Sequence, residues 1–261
     1  MSASRWSREW RGTGLCLAVV AAVLLAACSG DDAATTPTKS LSTPTTAAGT
    51  SVATSTKSSA TASDSSAAAQ LAAINTAIPA GIMDGKALGP KDAKVTLDVY
   101  EDFQCPFCLK FNVVMLPTLV EYANAGKLRV EFKSLPILGA ESAQAAVAAE
   151  CAASQGLFWP FFQRLYSEQL KAGQLAKEQT NVGRFSKENL AAYAVAAGAK
   201  PDDFAACYGS EASIASVQVD FRAGQAAGIR GTPGLLLNGT FVATPANATA
   251  LRKLLDDPAA K

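Results

Sequence analysis

The chain has 261 residues, and its 23 Lys and Arg residues nearly balance its 22 Asp and Glu residues. It contains no histidine, which excludes a Ser-His-Asp triad, a Cys-His protease pair and zinc or haem sites with histidine ligands. The formal net charge of +1 gives no electrostatic case for nucleic-acid binding, which needs a strongly basic domain. Its six cysteines are too few for a disulfide-rich miniprotein, so each pair needs its own explanation.

The N-terminal segment has the features of an export signal. A basic start precedes an uninterrupted apolar run at 15–27, which is shorter than the about 20 residues that a membrane span needs. The sequence LAAC that ends at Cys28 resembles the lipobox of bacterial lipoproteins, in which the cysteine is lipidated and becomes the mature N-terminus. We therefore predict a signal peptide at 1–27 and a lipid, with acyl chains such as palmitate, on Cys28. The alternative is an ordinary signal peptide with a chance cysteine.

Residues 28–77 are predicted to be a disordered tether. Between positions 31 and 70 the chain consists mainly of Ser, Thr, Ala and a few Pro, with Leu41 and Val52 as its only large aliphatic residues. Such a stretch cannot bury enough apolar surface to offset the entropy cost of ordering. As a random coil it would reach about 35 Å, which would hold a folded domain, predicted at 78–258, away from a membrane.

The folded part begins near Pro79 with a strand, a helix and a second strand. Apolar and polar residues alternate at 95–100 and again at 128–132, which predicts two strands. The helix between them is predicted over 107–125, and Pro117 is expected to kink or divide it. This order is typical of a βαβ unit with its crossover.

Several helices follow before the chain returns to strands. Helical patterns occur at 141–155, 157–170, 186–198, 201–208 and 211–227. An Asn-Gly turn at 238–239 then joins two short strands in a predicted hairpin, and a last helix is predicted over 246–256. The sequence therefore predicts an α/β fold in which a helical block is inserted between the halves of a small mixed sheet.

The chemistry is expected at Cys105-Pro106-Phe107-Cys108, where a predicted strand leads into a helix. The unpaired N–H groups and the positive dipole end of a helix stabilise an anion, so Cys105 can be a thiolate near neutral pH, the attacking species in disulfide exchange. Cys108, one turn later, can close a disulfide with it, and Pro106 suits the first helical position because its missing N–H would have had no partner there.

Two other interpretations of this motif remain open. One is a purely structural disulfide, although such bridges rarely need a helix N-terminus. The other is half of a zinc site, which would require a second close pair of ligands, and the sequence offers neither histidine nor another Cys-x-x-Cys. We therefore expect no metal and no cofactor.

Two segments resemble the DsbA-like thiol-disulfide oxidoreductases of the thioredoxin superfamily. Residues 95–111, VTLDVYEDFQCPFCLKF, resemble the active-site strand and helix of that family. Residues 228–233, which end in Thr232-Pro233, resemble its cis-proline loop, which faces the Cys-x-x-Cys motif. The resemblance implies a thioredoxin fold with a helical insertion at about 139–210. It also implies that Thr232 and Pro233 lie against the cysteines and leave backbone free to pair with an extended substrate.

The resemblance extends to a second cysteine pair. Cys151 and Cys207 match a pair found in some relatives, and both lie in predicted helices of the insertion. Two remaining cysteines in an exported protein are more often paired than free. The sequence thus favours a structural disulfide, and two buried thiols are the alternative.

The chain departs from these relatives around the motif. Many thioredoxin-fold enzymes have a buried acid six residues before the first cysteine, where this chain has Val99. Glu101 or Asp102 could substitute for it, but we expect both to be charges in a solvated loop or at the helix start. The most oxidising relatives have a histidine between the cysteines, and Phe107 cannot donate its hydrogen bond. We therefore expect a reduction potential between those of DsbA and thioredoxin, about −120 to −270 mV.

The sequence predicts an extracytoplasmic thiol-disulfide oxidoreductase that forms or exchanges disulfides in exported proteins. Its expected partners are exported proteins with thiols or disulfides, a membrane redox protein, and the cell membrane itself through the lipid on Cys28, with no nucleic acid. A reductase or isomerase with the same site is one alternative. A tethered binding or sensor module that lacks redox turnover is another.

Overall fold

The structure, a computed structural model, describes residues 58–257, which form eight α-helices and six strands. The helices are α1 (Ser58–Ile74), α2 (Pro106–Asn124), α3 (Ala140–Ser154), α4 (Phe158–Lys171), α5 (Lys187–Ala196), α6 (Pro201–Cys207), α7 (Glu211–Ala226) and α8 (Ala248–Asp256). The strands are β1 (Met83–Asp84), β2 (Ala87–Leu88), β3 (Val95–Glu101), β4 (Leu128–Ser134), β5 (Gly234–Leu237) and β6 (Thr240–Val242). The predicted signal peptide, Cys28 and the first part of the predicted tether lie outside the described residues.

The strands form one mixed sheet in the order β1-β2-β4-β3-β5-β6. The central pair, β3 and β4, is parallel and is connected by α2, whereas every other neighbouring pair is antiparallel. This arrangement confirms the predicted α/β fold. The hairpin β1–β2 was not predicted, because strands of two residues are too short to show an alternating pattern.

Helix α2 covers one face of the central strands. Leu128, Val130 and Phe132 alternate as buried residues along β4, as expected for a strand with one face on a core. Pro117 lies inside α2, which runs on through it as one helix. Of the two expected effects, a kink or a division, division is therefore wrong. Tertiary packing compensates for the backbone hydrogen bond that the proline lacks, since Leu116 on the preceding position is almost completely buried.

The helices α3 to α6 lie in the chain between β4 and α7, and an aromatic cluster joins this block to the sheet. Phe132 on β4 contacts Phe158 of α4 with ring centroids 5.1 Å apart, and Phe103, just before the cysteine motif, stacks on Phe132 at 5.3 Å. Phe162 and Tyr166 of α4 complete the cluster with a centroid distance of 4.8 Å. Offset and edge-to-face pairs of this kind add to the free energy gained by burying the rings. The helical block therefore packs directly behind the segment that leads to Cys105.

Helix α1 corrects the predicted extent of the tether, because residues 58–74 are helical. The helix packs against α2 and α4. Ile74 at its end is fully buried, and Gln163 of α4 donates hydrogen bonds to the carbonyls of Ile74 (3.0 Å) and Thr76 (2.8 Å). The prediction of disorder up to residue 77 is wrong here because alanine favours the helix intrinsically and one buried isoleucine anchors it. No helix within the described residues is long and apolar enough to cross a membrane.

Cys151 of α3 and Cys207 of α6 form a disulfide with a Cα–Cα distance of 5.6 Å. The bridge joins positions that are 56 residues apart in the sequence. It ties the first helix of the helical block to the last.

Replacing both residues, Cys151→Ala with Cys207→Ala, is expected to lower the free energy of unfolding by about 4 kcal/mol, because the unfolded chain regains the entropy of a long loop. Urea denaturation of the wild type and the double variant measures this difference. An unchanged free energy of unfolding would show that the bridge contributes no stability.

Candidate active site

The cysteine motif lies at the junction between β3 and α2. Cys105 is the residue that precedes the first turn of α2, and Pro106 occupies the first helical position. Both Cys105 and Cys108 are free thiols; Cys105 is 4% exposed and Cys108 is fully buried. Phe107 between them is 66% exposed. A partner approaching this face therefore meets the phenyl ring and the edge of one sulfur, while the second sulfur is shielded.

The loop before β5 lies directly against Cys105. The Thr232–Pro233 peptide bond is cis, and the Cys105 sulfur lies 3.3 Å from the carbonyl oxygen of Thr232. This contact arises because β5, which follows Pro233 at once, pairs antiparallel with β3, whose end leads to the cysteines. Gly234 is required after the proline, since a Cβ atom there would lie 2.3 Å from a side-chain carbon of Ile229.

The surroundings of the two thiols lower the pKa of Cys105 and raise the pKa of Cys108. The Cys108 thiol donates a hydrogen bond to the Cys105 sulfur. This bond is the main cause of the lowered pKa of Cys105, which is about 6. Burial opposes this shift, and the Thr232 side chain and the backbone N–H groups of Cys108 and Phe107 support it. Burial, followed by the same hydrogen bond, raises the pKa of Cys108 well above its usual value. At neutral pH the pair therefore consists of a Cys105 thiolate and a Cys108 thiol.

Glu101 is the buried acid of this site, which corrects the expectation that it is solvated. It is 2% exposed, because β3 extends through this position and its alternation places Glu101 on the same face as Val99. Its carboxyl oxygens accept hydrogen bonds from the Tyr166 hydroxyl (2.8 Å) and the Asn112 amide (2.9 and 3.0 Å). The same amide group donates to the Cys108 carbonyl at 3.0 Å. Burial outweighs these bonds and raises the pKa of Glu101 to about 8.

Asp102 is also buried, so the expectation of a solvated charge is wrong for it too. One of its oxygens accepts hydrogen bonds from the backbone N–H of Gln104 (2.8 Å) and the hydroxyl of Ser142 (2.7 Å). The other accepts from the backbone N–H groups of Ile137 (2.8 Å) and Leu138 (2.9 Å). Burial raises the pKa of Asp102, and these four bonds oppose the shift. The residue fixes the loop before Cys105 against the start of the helical block.

A groove of about 350 Å³ lies beside the exposed ring of Phe107. Its lining is mostly apolar and includes both residues of the cis peptide bond and one charged residue. The lining residues are Phe107, Lys110, Phe111, Val114, Met115, Thr232, Pro233, Thr244, Pro245 and Ala246. The groove can therefore accept apolar side chains of a polypeptide whose sulfur reaches Cys105.

Asn112 and Tyr166 were not predicted from the sequence. Asn112 could have been found, because it lies one helical turn after Cys108 and therefore on the same side of α2. Tyr166 carries no such signal, since it is 65 residues away from Glu101 in the sequence. Only the packing of α4 against the sheet brings its hydroxyl to the carboxylate.

A family model described as Thioredoxin matches residues 82–257. The chain belongs to this family. Among known proteins, this chain is similar to a probable disulfide bond formation protein D from Bacillus anthracis, which is 29% identical over 174 residues that cover 66% of this chain and 76% of the relative. The residues that the family model matches include the cysteine motif, the helical block and the cis-proline loop.

Two solved structures show the same fold. The oxidised form of BdbD from Bacillus subtilis aligns with a TM-score of 0.58 at 24% identity and covers 66% of this chain and 91% of its own. The alpha-DsbA1 of Wolbachia pipientis aligns with a TM-score of 0.55 at 18% identity and covers 71% and 94%. The described domain thus has the fold of these two structures.

In the oxidised protein neither active-site cysteine titrates, because both are in a disulfide. In this state Glu101 should make the free energy of unfolding depend on pH. The folded chain holds the carboxyl proton up to a pKa of about 8, against an ordinary value of 4.5. The folded state therefore binds more protons between these values, and the free energy of unfolding should fall as pH rises, by up to about 1.4 kcal/mol per pH unit.

Glu101→Gln should remove this slope, and urea denaturation at a series of pH values between those two limits measures it. The matched control is Glu178→Gln, which changes an exposed glutamate and should keep the wild-type slope. Equal slopes in the wild type and in Glu101→Gln would contradict the assignment of the buried acid.

Proposed function

We propose that this chain forms disulfide bonds in exported proteins through Cys105-Pro106-Phe107-Cys108. Its family and its likeness to a disulfide bond formation protein make it a thiol-disulfide oxidoreductase. The observation that supports this site is the position of the Cys105 sulfur, at the start of α2 and 3.3 Å from the Thr232 carbonyl. The sulfur is acidic and accessible at its edge, and a second sulfur behind it can close a disulfide.

The proposed reaction starts with the Cys105–Cys108 disulfide. A substrate thiolate attacks the Cys105 sulfur, a bond forms between the two sulfurs, and the Cys105–Cys108 bond breaks with its electron pair left on Cys108. A second substrate thiolate then attacks the substrate sulfur of this mixed disulfide and releases Cys105 as a thiolate. The substrate has lost two electrons, which now reside on the enzyme dithiol, and a membrane redox partner must remove them.

Protonation of Cys108 completes the first step. Its high pKa means that the sulfur takes up a proton as soon as the disulfide breaks. We infer that Glu101 is the proton donor, because its pKa of about 8 keeps it protonated at neutral pH and it lies close enough to Cys108 to raise the pKa of that thiol. This carboxyl takes the part that position 99 plays in relatives with an acid there.

The direction of the reaction follows from the acidity of Cys105. A thiolate that is stable at neutral pH stabilises the reduced enzyme, so the oxidised enzyme tends to accept electrons. The Cys105 pKa of about 6 lies between those of DsbA, about 3.5, and thioredoxin, about 7. The expected reduction potential is accordingly between about −120 and −270 mV, and oxidation of substrates is the favoured direction.

The substrate class that we propose is an unfolded polypeptide chain. The apolar groove beside Phe107 accepts its side chains, and the backbone before β5 can pair with an extended segment. The LAAC sequence at Cys28 and the preceding apolar run support a location on the extracytoplasmic face of the cell membrane through a lipid anchor.

The oxidase proposal is tested by refolding a reduced protein that has several disulfides, with and without this chain. The expected result is faster formation of native disulfides, its loss in Cys105→Ser, and accumulation of a mixed disulfide between the substrate and Cys105 in Cys108→Ala. Acceleration only when an oxidised, scrambled substrate and a reductant are supplied would identify a reductase or isomerase. No redox turnover and no trapped partner would instead identify a binding module.

Lipid attachment is tested separately by substituting two cysteines of the N-terminal segment. Cys28→Ser should move the protein from the membrane fraction to the soluble fraction of the producing bacterium, and mass spectrometry should find no acylated N-terminal peptide. Cys16→Ser, which lies within the predicted signal peptide, is the matched control and should remain in the membrane fraction. Continued membrane attachment of Cys28→Ser would overturn the lipid anchor.

A further inference from the structure

Two glutamines of the helical block hold the peptide groups that precede Cys105. The side-chain amide of Gln169, on α4, donates a hydrogen bond to the carbonyl of Phe103. The side-chain amide of Gln174, in the loop after α4, donates to the carbonyl of Gln104 at 2.9 Å. Both glutamines are almost completely buried. Two consecutive carbonyl groups at the entrance to α2 are thus fixed by side chains from outside the sheet.

Arg184 sets the orientation of both glutamines. Its guanidinium group donates hydrogen bonds to the side-chain oxygen of Gln169 and to that of Gln174, the latter at 3.2 Å. A glutamine amide whose oxygen accepts from an arginine must turn its NH₂ group to the other side. Here that side holds the Phe103 and Gln104 carbonyls. The arginine therefore determines which way the two amides point.

The backbone around Arg184 is itself fixed. The carboxylate of Glu141 on α3 accepts hydrogen bonds from the backbone N–H of Gly183 and, at 2.7 Å, from that of Phe185. These are the two neighbours of Arg184 in the chain, and Phe185 is fully buried. A continuous set of hydrogen bonds thus runs from α3 through Arg184 to the residues before Cys105.

We propose that Arg184 is a positioning residue for the disulfide exchange reaction, acting through Gln169 and Gln174 on the backbone that carries Cys105. The inference rests on the proposed function, because it concerns the reactivity of the same sulfur. The sulfur keeps its low pKa only while it faces the Cys108 thiol, the Thr232 side chain and the N–H groups of α2.

Arg184 would act by fixing the orientation of the two peptide groups that precede Cys105. If the carbonyls of Phe103 and Gln104 lose their partners, each of the two peptide groups keeps only the hydrogen bond from its N–H to Asp102. Each group can then tilt, and the Cys105 sulfur loses its alignment with these donors. A carbonyl oxygen that turns towards the sulfur also destabilises its anionic form. Removal of Arg184 should therefore raise the pKa of Cys105 and make the enzyme less oxidising.

The test is Arg184→Met in the full chain. The pH dependence of Cys105 alkylation, followed at the Cys105 peptide by mass spectrometry, gives its pKa, and equilibration with glutathione gives the relative reduction potential. The expected result is a rise of about one pKa unit, which is about a tenfold loss of thiolate below the wild-type pKa. The glutathione equilibrium should shift in the same direction, towards an enzyme that is easier to oxidise.

Gln174→Met provides a milder variant in case Arg184→Met does not fold, and it should shift both quantities in the same direction by a smaller factor. The double variant should shift the pKa by less than the sum of the two single changes, because the arginine acts through the glutamine. Arg164→Met is the matched control. Arg164 lies on α4, stacks on Tyr193 and pairs with Glu168, so its loss should leave Cys105 unchanged.

The proposal is overturned if Arg184→Met and Gln174→Met lower the free energy of unfolding but leave both the Cys105 pKa and the glutathione equilibrium at wild-type values. It is also overturned if Arg164→Met shifts the pKa as far as Arg184→Met does. Alkylation requires no redox turnover, so failure of the oxidase assay alone refutes the proposed function. An unchanged pKa in a chain with oxidase activity refutes the positioning role alone.

Discussion

The hydrogen bond from the Cys108 thiol to the Cys105 sulfur is the interaction on which the site depends. It leaves one sulfur anionic and the other protonated, and it needs both at fixed positions at the start of one helix. Two opposing effects, burial and hydrogen bonding, set the pKa values of the two thiols. Burial raises the pKa of either thiol, whereas donors from α2 and from the loop at Thr232 selectively favour an anion at Cys105. The asymmetry of the pair is therefore a property of the junction between β3 and α2.

The buried acid of the site lies two residues beyond Val99, the position at which the resemblance led us to expect one. Val99 and Glu101 are two residues apart on β3, so their side chains project from the same face of the sheet. Moving the carboxyl from position 99 to position 101 brings it one pleat closer to the cysteines. There it meets Asn112 on α2 and Tyr166 on α4. The sheet thus tolerates the displacement because its side-chain period is two residues.

Features that depend on local pattern were predictable from the sequence. The central strands, the helix after Cys105 and the Asn-Gly hairpin each have a characteristic spacing of residues, and the resemblance to a known family supplied the loop at Pro233. Features that depend on where a strand ends or on distant packing were not. Glu101 was expected in a solvated loop because β3 was predicted to end one residue earlier. Helix α1 was missed because a single buried residue, Ile74, anchors an otherwise polar and alanine-rich stretch.

The contact between Tyr166 and Glu101 makes the helical block part of the candidate active site. One hydrogen-bond donor to the carboxyl belongs to the core helix α2 and the other to the block. A chimera that exchanges this block with that of a relative would therefore also exchange the acidity of the buried carboxyl, even though every residue of the cysteine motif stays the same. Under the proposed role of Glu101, exchange of the insertion would therefore change the proton supply to Cys108.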